Sequence, residues 1–165
     1  MLSLESDVWK LLGIIRAKCY VELLMGINGV MHASTIDGAS NSTIILEFIG
    51  ECVDTVTRHG ESALQAGDIL VIDNAPIHHS QDAQFLARWL AAQDIDCVFT
   101  PKYSPDMNPA ENCFSKIKKL LPQPYYTNLI HRNLHVAIHD AVAEITGGDT
   151  RGYFRQLGYL NRNRL

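Results

Sequence analysis

Residues 68–73, Asp68-Ile69-Leu70-Val71-Ile72-Asp73, and residues 96–100, Asp96-Cys97-Val98-Phe99-Thr100, decide the fold. Each is a short apolar run with polar ends, the pattern of a strand buried on both faces. Between them Ser80 can cap a helix whose one side carries Phe85, Leu86, Trp89 and Leu90. Strand, helix, strand at this spacing predicts a parallel βαβ crossover, and ligands gather at the carboxyl ends of such strands. Asp73 stands at one of those ends.

Upstream, 19–27 and 30–36 read as strands joined by Asn28-Gly29, a dipeptide suited to a type I′ turn. Gly38 to Asn41 breaks the pattern. Ser42 then caps a helix with Ile45, Phe48, Ile49, Cys52, Val53 and Val56 at helical spacing, and 60–67 is a loop. Downstream, 101–107 is a loop rich in turn formers, and Asn108-Pro109 opens a helix with Asn as cap and Pro at the first position. Its buried stripe is Ala110, Phe114, Ile117 and Leu121, and Pro122 and Pro124 end it. A last amphipathic helix covers about 133–146, followed by a basic tail with Arg151, Arg155, Arg162 and Arg164. The fold class is therefore mixed α/β, read as a single domain over 1–165.

The 165 residues are 47% hydrophobic and 19% charged with a formal charge of −4, which excludes disorder and a globally basic nucleic-acid binder. The charge is uneven: residues 1–100 hold 5 basic and 13 acidic side chains (−8), and 101–165 hold 9 and 5 (+4). Such a split can set a polyanion-facing surface beside an acidic pocket, or simply reflect an uneven solvated surface. The longest stretch without charged side chains, 23–36, holds Asn28, His32, Ser34, Thr35 and two glycines, so no segment spans a bilayer. With Glu5 and Asp7 near the start no targeting peptide is visible, and an intracellular protein is expected, nuclear if eukaryotic. Cys19, Cys52, Cys97 and Cys113 are too widely spaced for a CxxC motif and sit among apolar residues, which makes them reduced core thiols rather than disulfides or metal ligands.

Two acids stand where chemistry would need them. Asp73 ends a strand and Glu111 lies in the first turn of a helix, and paired hard oxygen ligands of this kind suit Mg²⁺ or Mn²⁺. Each has a structural alternative. Glu111 follows Asn108 at capping-box spacing, and Asp73 can bind backbone N–H groups of its own turn.

The wording around them is more specific. Asp73-Asn74-Ala75-Pro76-Ile77-His78 and Pro101-Lys102-Tyr103-Ser104-Pro105-Asp106-Met107-Asn108-Pro109-Ala110-Glu111 resemble the two signature blocks of the DDE superfamily endonucleases of the mariner-like transposases, DN-x-x-x-H and P-x-YSP-x-xNP-x-E. The resemblance extends over about 16–159, from Arg16-Ala17-Lys18-Cys19-Tyr20 to Phe154–Tyr159. It implies a ribonuclease-H-like mixed sheet: hairpin, helix, parallel βαβ, C-terminal helices. It implies a DNA endonuclease and strand transferase working with two divalent ions, Mg²⁺ or Mn²⁺, on transposon ends, with a homodimer among the assemblies open to it. Asp73 matches the second catalytic, metal-binding acid and Glu111 the third, with 37 residues between them. Asn74 and His78 match polar residues beside the metal; Lys102, Tyr103, Ser104, Pro105, Asn108 and Pro109 match the positioning loop. Lys102, Lys116, Lys118 and Lys119 flank this region, where phosphate contacts are useful; for the last three a solvated helix face is equally open.

The family's first acid is not identifiable in this sequence. Asp7 is nearest by position, but 6–9 follow no apolar strand, and Asp7 reads better as a helix-start acid on 8–15. Glu5 and Asp37 fit no better. The resemblance thus implies a domain lacking the first strand and the DNA-reading helix-turn-helix module, with Trp9 to Ile15 left to fill the gap. The alternative to a nuclease is a catalytically inactive, transposase-derived module that binds nucleic acid or protein. His131, His135 and His139 recur every four residues and read as a half-exposed helix face, with zinc ligation the alternative. Trp9 and Trp89 read as core, and Tyr125-Tyr126 as loop packing rather than base stacking.

Overall fold

The structure, a computed structural model, describes residues 19–38, 41–57, 60, 62–72, 81–101 and 105–160. In chain order the elements are β1 (Cys19–Gly26), β2 (Gly29–Asp37), α1 (Ser42–Asp54), β3 (Ile69–Ile72), α2 (Gln81–Ala92), β4 (Asp96–Phe99), a 3₁₀ turn (Pro105–Met107), α3 (Ala110–Leu120), α4 (Pro124–Arg132), α5 (Leu134–Ala143) and α6 (Gly147–Gln156). Hairpin, helix, parallel βαβ and C-terminal helices follow in the expected ribonuclease-H-like order. No described helix is long and apolar enough to cross a membrane.

The hairpin closes one residue earlier than its sequence suggests. Its turn falls on Ile27-Asn28, with Gly26 opposite Gly29. A type I′ turn at this site would force β-branched Ile27 to positive φ. Instead Gly29 takes it alone (φ +130°), and the ladder shifts register between Leu24 and Met25. The turn is held by α6: buried Thr150 donates its hydroxyl to the Ile27 carbonyl at 3.1 Å. A Cβ on Gly147 would meet the Asn28 carbonyl oxygen at 2.9 Å, too close for any side chain, whereas one on Gly152 would meet nothing. Gly147→Ala is therefore expected to destabilise the fold by about 1–3 kcal/mol in urea unfolding, and Gly152→Ala to stabilise it by about 0.5–1 kcal/mol.

β3 and β4 pair in parallel from Ile69 opposite Asp96 to Ile72 opposite Phe99, with α2 as the crossover. One expectation fails here. Leu70 and Ile72 are buried, but Ile69 (64% exposed), Val71 (43%) and Val98 (50%) face outward. A continuous apolar run cannot say whether both faces are covered; α1 and α2 pack on one face only, and burial alternates along β3. Among the described residues the strands form two separate two-stranded sheets, β1-β2 and β3-β4. Leu23 and Leu24 of β1, Phe48, Ile49 and Cys52 of α1, and Leu70, Val71 and Ile72 of β3 border a small, solvent-open apolar cleft between them.

Two apolar cores result. One joins the hairpin (Val21, Leu23) to α3–α6 (Phe114, Ile117, Ile130, Ile138, Ala141). The other joins α1, β3 and α2 through Ile45, Phe48, Leu70, Ile72, Leu86 and Leu90. Several helix details differ from the sequence reading. Asn41, not Ser42, caps α1, accepting from Ile44 N–H at 3.1 Å, and α1 ends before Val56, which is exposed. Phe85 is exposed although it shares the Leu86 side of α2, and Trp89 is only partly buried. The C-terminal region folds as three helices rather than one. Pro124, read as a terminator, starts α4, because proline suits the first helical turn. Tyr126 is buried on that helix while Tyr125 is exposed. Thr146 and Asp149 form a full capping box that starts α6 through two glycines.

Candidate active site

The parallel pair brings two chain segments out at one edge, since Ile72 and Phe99 are paired and Thr100 N–H donates to the Ile72 carbonyl at 2.9 Å. Asp73 follows directly in sequence. Asp73, Asn74, His78, Lys102, Tyr103 and Ser104 lie outside the described residues, as do Glu5, Asp7 and Trp9. Asn108 and Glu111 are described.

From β4 the chain passes Pro101 and the 3₁₀ turn into α3. The turn is fastened by Tyr159, whose hydroxyl donates to the Met107 carbonyl at 2.8 Å while its ring packs edge-on against Phe154. Asn108 is buried and its Oδ1 accepts from Ala110 N–H at 3.0 Å, with Pro109 at φ −65° starting the helix. This is the Asn cap and Pro start expected from sequence. Ala110, Phe114, Ile117 and Leu121 are buried as predicted, which fixes the rotation of α3.

Glu111 is half-buried in the first turn, and its own N–H donates to the Asn108 carbonyl at 3.2 Å. The capping-box alternative is not realised: among the described residues the Glu111 carboxylate accepts no hydrogen bond, from Asn108 N–H or elsewhere, and meets no cation. Asn108 caps the helix by itself and leaves the acid uncommitted. A carboxylate at a helix N-terminus is also favoured by the helix dipole.

Of the lysines on α3, Lys116 is taken up internally. Its Nζ donates to Asp149 Oδ2 at 2.8 Å and to the Glu144 carbonyl at 2.7 Å, closing α3 onto the start of α6. Lys118 and Lys119 are exposed. The Lys116 ammonium, followed by the Thr146 hydroxyl and amide, holds the Asp149 carboxyl down at about 2. A depressed folded-state value stabilises the fold above the unfolded value of 3.8, and the benefit is lost as pH falls through about 2. Asp149→Asn is expected to cost about 1–2 kcal/mol at neutral pH. In acid-unfolding curves the variant and the native chain should converge between about pH 4 and pH 2.

The histidine stripe is divided. His131 is exposed at the end of α4, and Asn133 separates it from His135 and His139 on α5. Those two face β2 while staying partly open to solvent, in keeping with the half-exposed helix face read from the sequence. His135 Nδ1 lies 2.8 Å and His139 Nε2 3.3 Å from Thr35 Oγ1, and His135 Nε2 lies 3.2 Å from Asp37 Oδ1. Burial, then the neighbouring His135 and His32, lower the pKa of His139. Asp37 is thus engaged with α5 and not with Glu111. All four cysteines are free; burial pushes Cys19 up to about 11 and Cys52 and Cys113 up to about 12. Cys19 nevertheless adjoins Asp37 and His135, a grouping the sequence reading missed. Glu22, a fully buried acid on β1, was also missed.

A parallel strand pair opening at one edge, a capped helix presenting an uncommitted acid, and a hairpin on the flank define a ribonuclease-H-like α/β domain. A family model described as DDE superfamily endonuclease matches residues 16–129, from just before β1 into α4. The chain belongs to that family. No curated protein matches it.

Proposed function

We propose that this chain is the catalytic domain of a transposase-type, mariner-like endonuclease and strand transferase acting on DNA phosphodiester bonds, with Asp73 and Glu111 holding Mg²⁺ or Mn²⁺. The observation carrying the reading is the uncommitted Glu111 carboxylate on a helix capped independently by Asn108. The donor set fits a hard dication: carboxylate oxygens, with the described one half-buried and unpaired among the described residues. Two bound ions would stabilise the leaving oxygen and lower the barrier for a water or 3′-hydroxyl to attack the phosphorus.

The chain's own part is positional. Asn108 fixes the start of α3, Tyr159 fastens the turn before it, and the buried stripe sets the direction in which Glu111 projects. Asn74, His78, Lys102, Tyr103 and Ser104 are assigned to substrate positioning on the two motif blocks, and exposed Lys118 and Lys119 to backbone phosphates.

The alternative is a catalytically inactive, transposase-derived module that binds nucleic acid or protein. Cleavage of duplex DNA with Mg²⁺ or Mn²⁺ by the native chain, Asp73→Ala and Glu111→Ala separates the readings. Loss of cleavage in both variants supports the nuclease; equal cleavage by all three sinks the assignment, and DNA binding without cleavage by any of them favours the module.

A further inference from the structure

A second grouping of ligands, which does not include Glu111, lies at the open end of the hairpin. Cys19 and Asp37 are the first and last residues of the ladder and stand directly opposite each other. His135 reaches them from α5. One ligand atom from each, the Cys19 sulfur, an Asp37 carboxylate oxygen and a His135 ring nitrogen, lie within 4.8 Å of one another. We propose that Cys19, Asp37 and His135 form a divalent-metal site of the zinc class that ties the open end of the hairpin to α5. The proposal does not depend on the nuclease reading.

The geometry suits such an ion. Tetrahedral ligands at about 2.0–2.3 Å from zinc stand about 3.3–3.8 Å apart. His135 Nε2 and Asp37 Oδ1, 3.2 Å apart, already span one such edge. The sulfur lies within 4.8 Å of both, so a shift of about 1.3 Å at most completes the face. The imidazole is also oriented from behind. Thr35 Oγ1, 2.8 Å from His135 Nδ1, can accept its N–H and leave the Nε2 lone pair toward the ion. Metal-bound histidines characteristically have such an outer partner, and His139 Nε2 at 3.3 Å from the same hydroxyl extends the support.

Access and selectivity follow from the setting. Cys19 is buried at the base (1% exposed), while the Asp37 side chain is 75% exposed and His135 36%, so an ion can enter from solvent and keep a water as fourth ligand. Thiolate with imidazole selects Zn²⁺ or Co²⁺ over Mg²⁺ and Mn²⁺. The competing explanation is a bare Asp37–His135 ion pair, which binds no metal.

Cobalt is the probe. Chelator-treated, reduced full chain titrated with Co²⁺ should take up one ion with a thiolate-to-cobalt charge-transfer band that equimolar Zn²⁺ removes and excess Mg²⁺ does not. Cys19→Ser should abolish the band. Asp37→Asn and His135→Ala should each weaken binding at least about tenfold, while His131→Ala on α4 leaves it unchanged. A native chain that gives no thiolate band overturns the proposal, and so does a band that survives Cys19→Ser. If Cys19→Ser does not fold, paramagnetically shifted proton resonances of Cys19 and His135 in the cobalt-loaded native chain decide the ligands. Their absence overturns the proposal.

Discussion

Glu111→Gln is expected to lower metal-dependent cleavage of duplex DNA at least about a hundredfold, the scale on which removing one transition-state-stabilising group acts. Glutamine keeps the length and helix propensity of glutamate and gives up only the charge. The folded state should lose little, because the Glu111 carboxylate bonds no described residue and gives up only its favourable place at the helix N-terminus. Thermal unfolding of the variant should stay within about 0.5 kcal/mol of the native chain. That separation of activity from stability distinguishes an acid held for chemistry from one that caps its helix. Asn108→Ala makes the opposite comparison: losing the bond to Ala110 N–H should cost about 1 kcal/mol of stability and only part of the activity.

The largest effect on stability is expected at Ile117. It is fully buried in the core joining β1 to α3, α4 and α5, on the same stripe that orients Glu111. Ile117→Ala removes three carbons from a site with little freedom to collapse and should cost about 2–5 kcal/mol in urea unfolding. A domain has only about 5–15 kcal/mol in total. Cleavage should then fall in proportion to the folded fraction, unlike in Glu111→Gln, where folded protein is inactive. Leu90→Ala, fully buried in the α1–β3–α2 core, should cost a similar amount.

The legible parts of this molecule were those set by neighbours in sequence. The βαβ unit, the hairpin, the buried stripe of α3 and the Asn108-Pro109 helix start follow from local periodicity and capping chemistry. Readings failed where a longer-range contact decided between local options. Asn28-Gly29 is a sound turn signal, yet Ile27 moved the turn and the register with it. A turn at Asn28-Gly29 without a bulge would set Cys19 opposite Gly38; the observed ladder sets it opposite Asp37. That single step hid the Cys19–Asp37–His135 grouping, whose third member stands about a hundred residues away. Pro124 is equally good chemistry for ending a helix and for starting one, and only the packing of Tyr126 and Ile130 into the hairpin core selects the second. Lys116 looked free for phosphate because its partner, Asp149, belongs to a helix that the glycines at 147 and 148 concealed.

The proposal stands on Asp73 and Glu111, far apart in sequence, meeting at one divalent-metal centre. Substituting Fe²⁺ for Mg²⁺ and generating hydroxyl radicals at the bound iron tests this directly, because the radicals cut the chain only next to the metal. The expected result is cleavage of the backbone beside both Asp73 and Glu111, with both cuts lost in Glu111→Gln. Cuts beside one acid alone, or beside neither, would contradict it.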